Sequence, residues 1–348
     1  GQAFRVLVPS PQQAEAQQQA ALMDEMVTET VALSASVESL LGQRDALQEQ
    51  LDAAFTVHRL YEADNPDAML AEIGEKIRGV AMAFGPVNAE LLAKIPNAEI
   101  VSSFGVGYDH VNTDDCLAAK VMVTHTPDVL TEEVADTAVG LMIMTIREFG
   151  QAEQWLRQGN WESKGPYGLT GATMQGRTLG IFGLGRIGKA IAKRAEAFGM
   201  KIHYHGRSKQ DDVSYPYHAT PKALAAACDT LMVVAPGGAE TKHAVNAEVL
   251  EALGPDGIVI NIGRGTVIDE AALIAALENG TIYGAGLDVF ENEPHVPEAL
   301  LKLPRVTVLP HVGSASQATR NAMGQLVVDN LKSWFETGKA ITPVPEMR

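Results

Sequence analysis

At 348 residues and 46% hydrophobic composition, the chain exceeds one ordinary domain, so two compact domains with cores of their own are expected, not a small stapled fold. Lys plus Arg number 27 against 43 for Asp plus Glu, a formal net charge of −16, which gives nucleic-acid backbones and anionic membranes no general attraction. The two cysteines, Cys116 and Cys228, lie far apart with no CxxC or Cys/His metal spacing near either, which argues against a disulfide framework and predicts plain buried thiols in a reducing compartment.

No apolar stretch, Val139 to Ile146 included, approaches the ~20 residues that span a bilayer, and the first residues lack a basic flank followed by an apolar block. The expectation is a cytoplasmic protein with no nucleic-acid, membrane or metal partner.

In chain order, Phe4–Val8 reads as an opening strand closed by Pro9. From Pro11 to Leu51 the chain is rich in Gln, Ala, Glu and Leu. Apolar residues at Leu22, Met26, Leu33, Val37, Leu40, Leu41 and Leu47 fall at helical spacing, so one or two helices are expected as an insertion over about residues 11–51. Strands follow at Phe55–Tyr61, Gly79–Phe84, Glu99–Phe104 and Val121–Thr126. Helical patterns around Ala68–Ile77 and Ala89–Ile95 separate them, the alternation of a largely parallel α/β sheet. A long helix over Asp128–Arg147 bridges to a second domain.

That second domain alternates strand and helix. Strands are expected at Thr178–Phe182, Lys201–His205, Thr230–Ala235, Gly257–Ile262, Gly284–Val289 and Val306–Leu309, with helices through Phe198, near Pro221–Ala227, near Ala247–Leu253 and over Asp269–Glu278. The pattern is that of a doubly wound sheet with right-handed crossovers. A last helix over Gln317–Trp334 packs back on the first domain. The expected arrangement is therefore α/β with two doubly wound parallel-sheet domains. A Rossmann-type domain, residues 127–314, is inserted in a discontinuous flavodoxin-like domain, residues 1–126 and 315–348.

The strand at Thr178–Phe182 runs into Gly183-Leu184-Gly185-Arg186-Ile187-Gly188 and then a helix, which is the context a dinucleotide fingerprint requires. Gly183 permits the tight turn, Gly185 lets the backbone approach a pyrophosphate, Gly188 allows close helix–sheet packing, and the helix N-terminus supplies amides for the anion. About 20 residues on, where NAD enzymes place an acidic residue for the ribose 2′-hydroxyl, the chain reads His205-Gly206-Arg207-Ser208-Lys209. A guanidinium, a hydroxyl and an ammonium suit a 2′-phosphate, so NADP(H) is the expected cofactor and NAD(H) the second choice.

Three segments at strand ends carry chemistry: Ile260-Asn261-Ile262-Gly263-Arg264-Gly265, Gly286-Leu287-Asp288-Val289-Phe290-Glu291-Asn292-Glu293-Pro294 and Pro310-His311-Val312-Gly313-Ser314. With the glycine fingerprint, these ordered motifs resemble the D-isomer-specific 2-hydroxyacid dehydrogenase family from about Phe55 to Pro343 plus the first strand. More narrowly they are similar to its glyoxylate/hydroxypyruvate reductase branch, which also contains hydroxyphenylpyruvate reductases. The Gln-rich stretch over Pro11–Gly42 departs from the short connection typical of that branch.

The resemblance implies that the catalytic arginine is Arg264, the glutamate Glu293 and the histidine His311. A guanidinium grips a 2-oxoacid carboxylate while polarising its ketone oxygen, and an imidazolium is the best matched proton donor to the alkoxide that forms. A neighbouring carboxylate favours the charged imidazole and fixes its orientation. Glu291, two residues from Glu293, is a decoy, since the position before Pro294 matches the family's glutamate.

The loop Ser103–Asp109 resembles the family segment whose amides take the substrate carboxylate, which assigns Val106 and Gly107 to substrate beside Arg264 and His311. The resemblance also puts Leu184 to Ile187 on the pyrophosphate, Gly206, Arg207 and Ser208 on the adenosine ribose, and Ile262, Arg264 and Asp288 near the nicotinamide. Thr137, Ala235, Pro236 and Gly313 are further candidates. Trp161 and Tyr167, before the Gly-rich strand, read as core aromatics first and substrate-pocket aromatics second.

The implied activity is NADPH-preferring reduction of small 2-oxoacids, glyoxylate and hydroxypyruvate, to D-2-hydroxyacids, by a homodimer whose domains close over substrate. The alternatives are an aromatic 2-oxoacid reductase acting on hydroxyphenylpyruvate, and a binding protein that senses dinucleotide without turnover.

Overall fold

The structure is a computed structural model that describes residues 28–32, 44–60, 63–83 and 85–348. The chain divides into two compact units, one of residues 1–127 with 320–348 and the other of residues 128–319.

In the first unit the strands are β1 (Thr28–Ala32), β2 (Phe55–Arg59), β3 (Ile77–Met82), β4 (Ile100–Ser103) and β5 (Met122–Thr124), all parallel in the order β2-β1-β3-β4-β5. The helices are α1 (Arg44–Ala54), α2 (Pro66–Ile73), α3 (Ala89–Lys94) and α4 (Thr113–Ala119). Asn65, Asn88 and Asn112 each cap a helix start with a side-chain oxygen, and Pro66 opens α2 where a missing N–H costs nothing. Ile77, Val80, Met82, Val101, Val121 and Val123 form the core. β4 is buried at every position, as expected of a parallel sheet covered on both faces.

The expected opening strand at Phe4–Val8 lies outside the described residues. The helical reading of residues 11–51 needs correction over Thr28–Ala32, while residues 11–27 and 33–43 lie outside the described residues. Leu47 is indeed buried on α1, but Thr28–Ala32 is a strand. It pairs with β2 on one side and β3 on the other, so the place it fills requires extended backbone bonded along both edges. Thr28, Thr30 and Val31 are β-branched and suited to it, a preference that the Gln, Ala and Leu spacing around them concealed.

The second unit carries α5 (Thr131–Ile146), α6 (Phe149–Arg157), α7 (Asn160–Lys164), β6 (Thr178–Phe182), α8 (Arg186–Ala197), β7 (Lys201–His205), α9 (Pro221–Ala226) and β8 (Thr230–Val233). It continues through α10 (Ala247–Leu253), β9 (Ile258–Asn261), α11 (Glu270–Glu278), β10 (Gly284–Leu287), α12 (Glu298–Lys302) and β11 (Val306–Val308). Helix α13 (Gln317–Thr337) then returns the chain to the first unit, where Met323, Val327, Val328 and Leu331 are buried.

The sheet is parallel in the order β11-β10-β9-β8-β6-β7. Beyond β7 the sheet gains one more residue, Tyr217, bridged in parallel to Tyr204. The chain leaves β6 toward β7, then crosses back to β8 on the other side of β6, which makes the carboxyl end of β6 the switch point where such sheets bind ligands.

Candidate active site

At that switch point the three glycines meet three different demands. Gly183 has φ +104, and a Cβ there would lie 2.7 Å from the Ala235 amide nitrogen. Gly188 sits under the turn, where a Cβ would come within 2.3 Å of the Gly183 carbonyl. Gly185 caps α8 and a Cβ on it would meet nothing within 4 Å, so its backbone is open to a ligand. The cradle fits a pyrophosphate at the start of a 12-residue helix.

Of the flanking residues, Leu184 is buried, leaving its backbone to serve such a ligand, and its carbonyl accepts from Gln210 Nε2 at 2.8 Å. Arg186 is exposed and pairs with Asp128 at 2.8 Å. Ile187 is half-buried.

At the end of β7, Arg207, Ser208 and Lys209 are all exposed, and the Gly206 carbonyl accepts from the Tyr217 hydroxyl at 3.3 Å. Asp212, a nearby acid, is bonded to Lys189 at 2.6 Å, which holds its carboxyl below the usual range. The donor set at this strand end is therefore cationic, as a 2′-phosphate requires and a lone ribose hydroxyl does not.

The neighbouring strand ends are in direct contact. A Cβ on Gly263 would lie 2.7 Å from the Ala235 carbonyl, and one on Gly265 would lie 1.9 Å from the Phe290 carbonyl carbon. Pro236, next to Ala235, accepts from the Thr241 hydroxyl at 2.7 Å.

Buried Asn261 organises the turn after β9: its Nδ2 donates to the Arg264 carbonyl at 2.9 Å and its Oδ1 accepts from the Gly263 amide at 3.1 Å. Arg264, half-buried, is steadied by Nη1 donating to the Gly263 carbonyl at 2.9 Å.

His311 and Glu293 form the centre. His311 Nδ1 meets Glu293 Oε2 at 2.7 Å, while Glu293 Oε1 accepts from the Phe290 amide at 3.0 Å. The histidine has φ +53, a left-handed backbone that a side chain of its size rarely adopts and that the surrounding structure must hold. Burial opposes ionisation of Glu293. The hydrogen bond and charge of His311, the Phe290 amide and Arg264 together outweigh it, so the carboxyl is held below its ordinary range.

Asp288 does the holding. Its carboxylate accepts from the Val312 and Gly313 amides at 2.7 and 2.8 Å, and its carbonyl accepts from the His311 amide at 2.8 Å. Burial, opposed by those amides and by His311, pushes its carboxyl up. Both oxygens of Asp288 are thus engaged with the histidine loop. Thr137 Oγ1 donates to the Gly313 carbonyl at 3.1 Å, and Ile262 lies against Gly313.

In the first unit, Gly105 has φ +147, its amide donates to Thr126 Oγ1 at 3.0 Å and its carbonyl accepts from the Thr126 amide at 2.8 Å. The Val106 carbonyl meets His125 Nδ1 at 2.9 Å. Val106 and Gly107 are half-buried, and among the described residues their amides have no acceptor, the arrangement an anion-binding turn requires.

Two expectations change. Trp161 is 62% exposed on α7 and is not a core residue. Apolar residues are common on surfaces, so an aromatic without periodic partners carries little information about burial. Tyr167 is part of a polar network: its hydroxyl donates to Glu148 Oε2 at 2.7 Å, and Tyr283 donates to Oε1 of the same carboxylate at 2.9 Å. Burial, with Glu148 adding to it, pushes the Tyr167 phenol up to about 12.

Cys116 is a buried free thiol as expected, while Cys228 is half-buried. The site also contains a second histidine–glutamate pair, His243 with Glu291, which no spacing in the sequence announces.

The family model for the D-isomer specific 2-hydroxyacid dehydrogenase NAD binding domain matches residues 139–313. A glyoxylate/hydroxypyruvate reductase A of Arabidopsis thaliana is 45% identical over 299 residues, 86% of this chain and 95% of that protein. This chain belongs to the D-isomer specific 2-hydroxyacid dehydrogenase family.

Within that family, a hydroxyphenylpyruvate reductase of Plectranthus scutellarioides is also 45% identical over 299 residues, again 86% of this chain and 95% of that protein. A solved structure, an NADPH-dependent glyoxylate/hydroxypyruvate reductase from Sinorhizobium meliloti in complex with NADP and malonate, is 52% identical with a TM-score of 0.85. It covers 92% of this chain and 97% of its own. The α/β architecture expected for a 2-hydroxyacid dehydrogenase is therefore present.

Proposed function

We propose that this member of the family is an NADPH-preferring reductase that converts glyoxylate and hydroxypyruvate to D-2-hydroxyacids, with His311 as proton donor. The observation that carries the reading is the 2.7 Å contact of His311 Nδ1 with Glu293. It sits two strand ends from Arg264, in a unit whose glycine turn fits a pyrophosphate.

When bound, NADPH supplies the hydride. The residues of this chain bind, orient and protonate. Arg264 grips the carboxylate of the 2-oxoacid and draws charge onto its ketone oxygen, and in the first unit the Val106 and Gly107 amides serve as carboxylate donors. Glu293 occupies Nδ1 of His311, so the proton passes from Nε2 to the substrate oxygen. Leu184 to Ile187 hold the pyrophosphate, with Gly206, Arg207 and Ser208 on the ribose phosphate. Ala235, Pro236, Ile262 and Gly313 line the way to the nicotinamide, and Asp288 acts there through the histidine loop.

The domain boundaries that go with this reading are a substrate domain of residues 1–126 and 315–348 and a cofactor domain of residues 127–314. A homodimer is supported by the exposed apolar side chains of Phe149, Leu156, Trp161 and Leu169, which a monomer would leave in water. Two free cysteines fit a reducing cytoplasm, and among the described residues no helix is long and apolar enough to cross a membrane.

The cofactor part of the reading is tested by Arg207→Asp. A carboxylate at the exposed β7 end repels a 2′-phosphate and accepts from a ribose hydroxyl, so the ratio of kcat/KM with NADPH to that with NADH is expected to fall by about 10²-fold or more. An unaltered ratio removes Arg207 from phosphate recognition.

A further inference from the structure

We infer that His243 and Glu291 are a pair of positioning residues that lock the Arg264 turn to the Glu293 loop. The inference deepens the reductase reading and rests on it.

His243 lies in the connection after β8 with φ +52, the same left-handed backbone as His311. Its Nε2 donates to Glu291 Oε1 at 2.6 Å, and both side chains are about one-third exposed, at 37% and 32%. The active unit thus holds two histidine–glutamate pairs, each with a left-handed histidine, and their glutamates are separated by a single residue.

The backbone around His243 is committed to the Arg264 side. Its amide donates to the Thr266 carbonyl at 2.8 Å and the Val245 amide to the Val267 carbonyl at 3.0 Å, in parallel bridge geometry at Val245 and Ile268. Residues 243–245 thereby hold the 3-10 turn Gly265–Val267 that directly follows Arg264.

The ring of His243 is committed to the other side, because Glu291 begins the loop that ends in Glu293. The Glu291 amide donates to Glu270 Oε1 at 3.2 Å, so both its side chain and its backbone are tied down. Between the two sides there is no room for slack: a Cβ on Gly265 would come within 2.0 Å of the Phe290 carbonyl oxygen.

The single ring of His243 therefore closes a loop of contacts running from Arg264 through Gly265 and Phe290 to Glu291. The gap between the guanidinium and the His311–Glu293 pair is set by that loop. Misplacement of about 1 Å at a site of this kind costs about 10²-fold in rate, so a weak, partly exposed bond can have a large effect on turnover without a large effect on folding.

The test uses the full chain with glyoxylate and NADPH. Glu291→Ala is expected to lower kcat by about tenfold to a hundredfold, while NADPH binding, followed by fluorescence, is unchanged. Glu291→Gln, which keeps an acceptor for the His243 N–H, recovers most of the loss. Adding His243→Ala to Glu291→Ala lowers kcat no further, since both remove one link.

A role confined to stability would instead lower Tm and leave the folded enzyme's kcat intact. The second readout needs no turnover: the imidazole Nδ1 proton of His311, assigned by its loss in His311→Ala, shifts in Glu291→Ala and returns in Glu291→Gln. Folded Glu291→Ala with wild-type kcat and an unmoved His311 signal overturns the inference. A wild-type chain that turns over no 2-oxoacid overturns the reductase reading instead, and the His311 signal still decides the tie. If Glu291→Ala does not fold, His243→Gln is read in the same two ways.

Discussion

His311→Ala is expected to lower kcat for glyoxylate reduction by about 10²–10⁴-fold with NADPH affinity unchanged. The His311 side chain is placed to deliver a proton, since Glu293 holds Nδ1 and leaves Nε2 for the substrate. The left-handed backbone at His311 is held by the Asp288 carbonyl and by the amides of Val312 and Gly313 on the Asp288 carboxylate. Removing the ring leaves that scaffold standing, so the loss falls on chemistry and not on binding.

Glu293 adds a sign to the pH dependence. Its folded pKa lies below the ordinary carboxylate value, so its contribution to stability is complete above that value and is lost as pH falls through the lower folded one. Glu293 therefore remains ionised beside His311 through the neutral and mildly acid range. Steady-state rates with direct titration of NADPH check the prediction, and unchanged turnover in His311→Ala removes it as the acid.

Arg264→Ala is expected to lower kcat/KM for the 2-oxoacid by about 10²–10³-fold. The guanidinium is asked both to bind a carboxylate in the ground state and to stabilise charge on the ketone oxygen, so KM rises and kcat falls together. Arg264→Lys keeps the charge but loses the planar fork and the Nη1 bond to Gly263, and is expected to recover only part of the loss. An Arg264→Lys enzyme with full efficiency would mean that charge alone suffices and that the two-point grip is not used.

The strand ends of the second unit were legible in the sequence because a doubly wound sheet turns chain order into spatial order. β8, β9, β10 and β11 are successive neighbours, so motifs that follow them in sequence emerge side by side. Gly183 and Gly188 were legible for a similar reason: each stands where a Cβ would collide with backbone, and only one residue type meets that demand.

Elements without a periodic signal were harder. Helix α4 is seven residues long and buries only Cys116, so its mark is the Asn112 cap rather than an apolar stripe. Helix α6 has apolar residues at Phe149, Ala152, Trp155 and Leu156, at helical spacing, yet buries none of them, so its stripe is not a core face. β1 lay within a stretch whose Gln, Ala and Leu content points to helix, which concealed the β-branched Thr28, Thr30 and Val31 that suit the place between β2 and β3.

Within the site, Arg264, Glu293 and His311 could be named from motif position, but the role of Asp288 could not. Its two oxygens meet amides 24 and 25 residues away, a contact that exists only once β10 and β11 are adjacent. The partnership of His243 with Glu291 was equally hidden, since it depends on a left-handed loop residue 48 positions away.

The central claim is the reaction itself, and the most direct measurement is the loss of reduced-nicotinamide absorbance with NADPH and NADH in parallel against glyoxylate, hydroxypyruvate and hydroxyphenylpyruvate. The account predicts faster turnover with NADPH on the two small acids. Preference for hydroxyphenylpyruvate, the substrate named for the Plectranthus relative, would contradict the substrate assignment, and tight NADPH binding with no turnover on any of the three would contradict catalysis and leave a dinucleotide sensor.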